Sequence, residues 1–594
     1  MRFITLALLV FAVACGGGSD KPKSGETAAP AKKVFNYVRT SAHKSLDPVK
    51  QFDAASAELI NNVYDSLLEY HYLKRPYALA PNLLTKLPEL SADGLTYSFE
   101  LRSDVKFIDD PCFPGGKGRA LTTDDVIYSL KRFAHGQLNV KSYVLMQGSV
   151  AGMDEYRAET LKGGDFTKLD ISGIKKIDDT HFTITLTKRN PLALLPLAAT
   201  QTAIVPREAV EHYKDDFERH TVGTGPFKLK DLQRRGVTIL EKNPNYHLTY
   251  PTEGQPEDEA KGLLAAKGQK LPFVDEVHLP LIEEPQPAML KFLSGGMDWI
   301  GIDRDNFVKM AFKDDKGFHL QPEYAGKFDI YAEPRLSTEY WVFNMKDPLI
   351  GKNKALRKAI AYALDSAAFV TKMRNGRGVA VSTIVPPPIA GSENDVKVEW
   401  YRNNLEEAKK LLAEAGFPGG KGLPELTVEI RSSTTQSRQD FEFNRAELAK
   451  AGIIIKPSFQ TFSAYLQRVE SGNFQIAISG WQADYPDAEN FYQLLYGPNK
   501  APGPNSSSWA NAEYDRLFDQ ARFMDNGPER YALFAKMHEI IREDVPVIFV
   551  WSDIAVGLHQ KWVRNFKRNM MIDVPFKYFD VDTKLRAQGV PGAK

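Results

Sequence analysis

The stretch Gly480-Trp481-Gln482-Ala483-Asp484-Tyr485-Pro486-Asp487 holds the residue types best suited to grip a charged guest. Gly480 lets a foreign backbone come close. Trp481 offers a flat apolar wall with one polar edge. Asp484, held in a cleft, is a fixed anion for a cation. The same residues also read as a core Trp followed by a turn, because Asp and Pro are turn formers. Taken alone, the stretch leaves both readings open. Covalent chemistry has less support. The chain carries no HExxH, GxSxG, CxxC or Walker A pattern. SxxK occurs at Ser41–Lys44 and Ser172–Lys175, where lysine would activate a serine nucleophile. Neither is joined by SDN or KTG. The 11 His residues are scattered, with no pair at zinc-ligand spacing on a helix. Single histidines such as His278 and His319 read as structural. No metal or cofactor is expected.

The elements that must position the opening stretch follow from periodicity. Phe474-Gln475-Ile476-Ala477-Ile478 alternates like a strand and leads into it. Phe35-Asn36-Tyr37-Val38 predicts a first strand, and Ser45-Leu46-Asp47-Pro48 a turn. Ala54 to Tyr70 has helical spacing, with Leu59, Val63, Leu67 and Leu68 on one face. Asp93-Gly94 signals a turn before the strand Thr96 to Leu101. Thr122 or Thr123 caps a helix through Asp124, Val126, Tyr128, Leu130 and Arg132. Residues 251–272 read as a polar surface excursion, and 110–119 as an enlarged turn. Pro-Gly-Gly-Lys-Gly recurs at 114–118 and 418–422, but neither copy has P-loop spacing, so both read as turn chemistry.

At 594 residues the chain exceeds one ordinary core, so two or three lobes are expected. Its formal charge is +1, from 76 basic and 75 acidic residues, which supplies no bulk attraction for nucleic acid. The N-terminus carries an address. Arg2 precedes the apolar run Phe3 to Ala14, which is too short to span a bilayer and reads as an export signal. Ala12-Val13-Ala14-Cys15 resembles a bacterial lipobox, so residues 1–15 read as a lipoprotein signal with Cys15 the lipidated residue. Ordinary signal cleavage nearby is the other reading. Residues 16–33 are rich in Gly, Ser, Pro, Ala and Lys and read as a flexible tether. The only other cysteine is Cys112, so lipidation of Cys15 leaves no internal disulfide.

Several segments then carry a family resemblance in fixed order. They are Leu46-Asp47-Pro48, the run 62–70 (NVYDSLLEY), the run 93–107 (DGLTYSFELRSDVKF) and the run 121–132 (LTTDDVIYSLKR). Val222-Gly223-Thr224-Gly225-Pro226-Phe227, Asn243-Pro244-Asn245-Tyr246 and Phe292 to Asp298 follow. Phe343-Asn344, Ala355 to Asp365 and Ala408 to Gly416 complete the set. Together they resemble the extracytoplasmic solute-binding proteins of ABC importers, specifically the oligopeptide/dipeptide/nickel group.

That resemblance implies an α/β fold: a periplasmic-binding-protein-like, two-lobed hinged clamp with an extra third lobe and mixed sheets. It places lobe I at 34–70, 196–335 and 551–594, lobe II at 71–195, and lobe III at 336–550. It implies a non-enzymatic receptor, lipid-anchored outside the cytoplasmic membrane. The receptor captures peptides as a monomer and delivers them to an ABC permease with its ATPase subunits. In peptide-binding members the GWxADY segment lies in the cleft and its Asp meets the ligand's α-ammonium. Here that implies a site of Asp484 with Gly480, Trp481, Gln482 and Tyr485. Backbone near Gly480 and Gln482 would pair with an extended peptide. Ala54, in the loop Val49 to Ala55, is the expected contact from the opposite wall. One departure concerns the ligand carboxylate: Ile478 stands where some oligopeptide receptors have Arg, and Arg468 lies upstream. A nickel chelate, haem or an oligosaccharide are alternative solutes, and an SxxK hydrolase a more distant alternative.

Overall fold

Two stretches of chain, side by side, join the parts of this molecule that line a cavity of about 630 Å³. The computed structural model describes residues 32–591 except 52, 139, 167 and 573. The signal segment, Cys15 and most of the 16–33 tether lie outside the described residues. Contacts gather Lys33–Lys594 into one unit.

The first part begins with strand β1 (Val34–Asn36) and helix α1 (Ala54–Val63). Asp53 caps α1, its carboxylate accepting from the Ser56 backbone N–H at 2.9 Å. The helical spacing predicts a helix to Tyr70, but α1 stops at Val63 and strand β2 (Leu68–Tyr70) follows, paired with β3 (Leu79–Pro81). Tertiary bonds override the local pattern. Buried Asp65 accepts from Thr224 Oγ1 at 2.8 Å and Asn82 Nδ2 at 3.1 Å. Ser66 donates to the Ala199 carbonyl at 2.9 Å. A continuing helix would break all three.

Strands β4 (Glu89–Leu90), β5 (Thr96–Glu100), β6 (Ile174–Lys176) and β7 (His181–Thr185) form an antiparallel sheet in the order β4-β5-β7-β6. Helix α2 (Thr123–Ala134) lies between β5 and β6 in the chain and starts at a Thr122/Asp125 capping box. Strands β8 (Phe227–Asp231), β9 (Val237–Lys242) and β10 (Glu276–Pro280) extend β1 into a sheet ordered β1-β10-β9-β8, parallel only between β1 and β10. The excursion between β9 and β10 is better anchored than its polarity predicts. Leu263, Ala266 and Leu271 are buried, and the buried Asp258 holds Lys567 at 2.7 Å. Both Pro-Gly-Gly segments are short 3-10 turns, with Gly115 and Gly419 at positive φ of 64° and 61°.

Next come β11 (Trp299–Gly301), the hairpin β12 (Ala311–Asp314) and β13 (Gly317–Leu320), and β14 (Phe328–Pro334). The second part holds β15 (Ser337–Phe343), β16 (Gly378–Ala380), β17 (Leu426–Ile430), β18 (Ile455–Phe459) and β19 (Ile476–Gln482). Strand β20 (Val547–Gln560), 14 residues long, belongs to both parts. Its first half pairs with β15 and its second half with β14.

Buried apolar residues form three clusters. One draws on residues between Phe35 and Phe328 and between Val556 and Val590. The other two draw on residues between Leu336 and Trp551 and flank the β15–β19 sheet. The chain passes between these groups at 329–335 and again at 552–555. Arg335 ties the crossings together: its backbone N–H donates to the Asp553 carbonyl at 2.8 Å, and its Nε meets the Asp553 carboxylate at 2.8 Å.

Candidate functional site

A cavity of about 630 Å³ opens where these parts face one another. One wall comes from α1, β2 and the 195–203 segment, including Ala54, Asn61, Glu69 and Tyr70. The facing wall is the end of β19 and the residues after it, Trp481 to Asp484. Residues between Lys141 and Leu145, residues between Arg568 and Lys577 and the crossing residue Arg335 also line it.

The Asp484 wall is built by one buried amide. Asn490 is fully buried. Its Oδ1 accepts from Trp481 Nε1 at 2.8 Å and from the Asp484 backbone N–H at 3.0 Å. Its Nδ2 donates to Asp484 Oδ2 at 3.1 Å. One side chain therefore orients both the indole and the carboxylate. The strand itself runs further than the alternating run predicts, through Gly480 to Gln482, because β15 pairs with it as far as Ser337 opposite Gln482. Beyond it, Asp487 is pinned by buried Arg530 through two bonds of 2.8 Å.

Among the described residues three carboxylates reach this cavity, and they are satisfied unequally. Glu69 holds Lys577 at 2.5 Å and accepts from the Tyr578 hydroxyl at 2.9 Å. Asp65 has the donors Thr224, Asn82 and Tyr246. Asp484 accepts from the neutral Asn490 amide, and no lysine, arginine or histidine among the described residues forms an ion pair with it. Asp484 is exposed, and it lines the cavity. The protein packed around it still displaces enough water to raise its pKa, while the Asn490 bond works the other way. A carboxylate raised by desolvation and lacking a counter-ion is a site prepared for a cation.

Of the residues expected here, Asp484, Trp481, Gln482 and Ala54 line the cavity together. Gly480 and Tyr485 lie off its wall. The space a side chain would need at Gly480 is taken by the protein's own Glu339 carboxylate and Arg431 guanidinium, which pair at 2.8 Å. That packing gives the glycine a role inside the protein. The Tyr485 hydroxyl turns away to the Glu489 carboxylate. Ile478 packs against an apolar cluster, and Arg468 is held by buried Glu429 at 2.9 Å. Ser41, Ser172 and the lysines three residues after each are exposed, and neither serine hydrogen-bonds its lysine among the described residues. His278 and His319 pair with Glu276 and Asp314, both at 2.9 Å. No group of three His, Cys, Asp or Glu among the described residues is arranged to hold a metal.

Sequence reasoning missed Tyr70, Glu69, Lys577, Arg335, Met570 and Met571, all on the cavity wall. Glu69 and Tyr70 end the 62–70 run, and the others lie far from it in the chain with no local pattern to mark them out.

The model of the bacterial extracellular solute-binding proteins, family 5 Middle, matches residues 78–503. The dipeptide-binding protein of Escherichia coli (strain K12) is 26% identical over 507 residues, 84% of each chain. Heme-binding protein A of Haemophilus influenzae is 26% identical over 590 residues, 97% of this chain and 96% of that one. Among solved structures, the ABC transporter-associated periplasmic binding protein DppA from Helicobacter pylori, in complex with peptide STSA, superimposes with a TM-score of 0.71. It is 22% identical and covers 92% of this chain and 98% of that one. The periplasmic-binding-protein-like α/β fold is thereby established.

Proposed function

This chain belongs to the bacterial extracellular solute-binding proteins of family 5, the capture components of ABC importers, and from that premise we propose that its solute is a peptide bound by its free N-terminus. The observation that carries this reading is Asp484: a carboxylate on the cavity wall, oriented by Asn490, with no ion pair from a lysine, arginine or histidine among the described residues. An α-ammonium supplies the missing charge. Enclosing the pair strengthens the attraction, because it is no longer screened by water. Relatives named for dipeptides and oligopeptides support the same solute class.

Binding and release are the whole mechanism. The parts on either side of the cavity are joined by two adjacent crossings, which is the geometry of a hinge. The division of the apolar clusters supports the proposed boundaries of lobe III at 336–550, while the proposed lobe I at 34–70, 196–335 and 551–594 and lobe II at 71–195 share one cluster. One chain surrounds the whole cavity, so a monomer suffices. Closure presents the loaded form to the permease. Lipidation of Cys15 and the 16–33 tether would hold this receptor at the membrane face, a reading supported by the apolar run and small residues before that cysteine.

The test is direct. The protein is purified, denatured, and its released small molecules identified by mass spectrometry. A refolded sample is then offered a tri- to pentapeptide library with free N-termini, and the same library acetylated. Retention of free-amine peptides supports the proposal. Retention of neither library, or equal retention of both, refutes it.

A further inference from the structure

On the wall facing Asp484, Tyr70 ends strand β2 and is 4% exposed. Its ring belongs to none of the three apolar clusters. Its hydroxyl oxygen is sealed from solvent and finds no hydrogen-bond partner among the described residues. An unpaired buried hydroxyl is destabilising, and phenylalanine would fill the same place without that cost. Neighbouring polar groups vary: Asn82 Oδ1 and Ser142 Oγ in the same lining are likewise buried without a partner among the described residues, while others are satisfied. Glu69, the residue before it, has both oxygens satisfied by Lys577 and Tyr578. The hydroxyls of Tyr246 and Tyr64 reach Asp65 and the His220 carbonyl. Tyr70 also lines the cavity, within electrostatic reach of the Asp484 carboxylate, whose charge helps to raise its pKa.

We infer that the Tyr70 hydroxyl is a second recognition group for the ligand's N-terminal ammonium, placed on the wall opposite Asp484. This rests on the peptide reading above and deepens it. An ammonium has several N–H donors and no acceptor. Asp484 takes one of them, and the phenol oxygen accepts another. The two acceptors stand on segments that belong to different apolar groups, so one ammonium bridges the walls. A solute with a blocked N-terminus keeps a single amide N–H and no charge, and cannot serve both. The ligand class is therefore a peptide whose terminal nitrogen is charged and carries at least two hydrogens. Unpaired here, the hydroxyl is the group that ligand arrival would satisfy.

Tyr70→Phe and Asp484→Asn separate this inference from the reading beneath it. Each variant and the wild-type protein are titrated with the free-amine and the acetylated peptide libraries, and the melting temperature of each ligand-free protein is measured. Loss of one hydrogen bond to a charged group predicts at least a roughly tenfold weaker apparent affinity of Tyr70→Phe for the free-amine library. The acetylated library is unaffected. The ligand-free melting temperature stays level or rises, since an unpaired hydroxyl has been removed. A purely packing role for Tyr70 predicts a lower melting temperature and equal weakening of both libraries, and that result overturns the inference. Unchanged affinity of Tyr70→Phe, with Asp484→Asn still abolishing the free-amine preference, overturns it while leaving the peptide reading intact. No free-amine preference in the wild type overturns both.

Discussion

Replacing Asp484 with Asn keeps the shape of the side chain and its bond to Asn490, and removes only the charge. The expected effect follows from the site. An ammonium about 4 Å from a carboxylate is held by on the order of 4 kcal/mol at an effective dielectric near 20. Asp484 is exposed, so water screens part of this. Removing one partner of a hydrogen-bonded charge pair typically costs about 2–5 kcal/mol. The open cavity argues for the lower end, near 2 kcal/mol, or a dissociation constant roughly thirtyfold larger. The ligand-free protein moves the other way. Burial raises the pKa of Asp484, so its charge is disfavoured by folding, and a neutral amide relieves that. Isothermal titration with free-amine and N-acetylated peptides, alongside thermal unfolding of the ligand-free protein, measures both effects. The wild type should prefer the free amine by at least the factor the variant loses, and Asp484→Asn should erase the preference. A variant that weakens both ligands equally, or that melts several degrees lower without ligand, would show Asp484 to be structural and refute the reasoning.

Further outcomes follow from the same geometry. Ammonium binding lowers the pKa of Asp484 from its raised ligand-free value. Affinity should therefore be constant above that value and fall about tenfold per pH unit below it, starting at a higher pH than for an ordinary aspartate; titrations at stepped pH check this. Arg530→Ala leaves Asp487 buried without its partner and should cost about 3–5 kcal/mol of stability in denaturant unfolding, with loosening of the adjacent Asp484 segment. Cys15→Ser should move the protein from the membrane fraction to the soluble extracytoplasmic fraction, read by fractionation and immunoblot.

Local order was legible wherever neighbouring residues carried the signal. The capping box at Thr122, the strand at Thr96 to Glu100 and the turns at the two Pro-Gly-Gly sites are settled by residues within a few positions of one another. The Trp481–Asp484 segment could be named because its spacing matches a family pattern. Its structural support could not. Asn490, Arg530 and Glu339 decide which of those residues face the cavity, and they act through packing across 6 to 141 positions of chain.

The residue order alone therefore carried the family resemblance, in short motifs kept in fixed order, and that resemblance implied the α/β class and the one carboxylate worth testing. Only the folded chain decided that α1 ends at Val63, that Gly480 makes room for an internal ion pair, and that Tyr70 faces the same cavity as Asp484. Those outcomes depend on which distant side chains compete for the same volume and the same hydrogen bonds. That competition exists only once β20 has drawn the two parts of the molecule together.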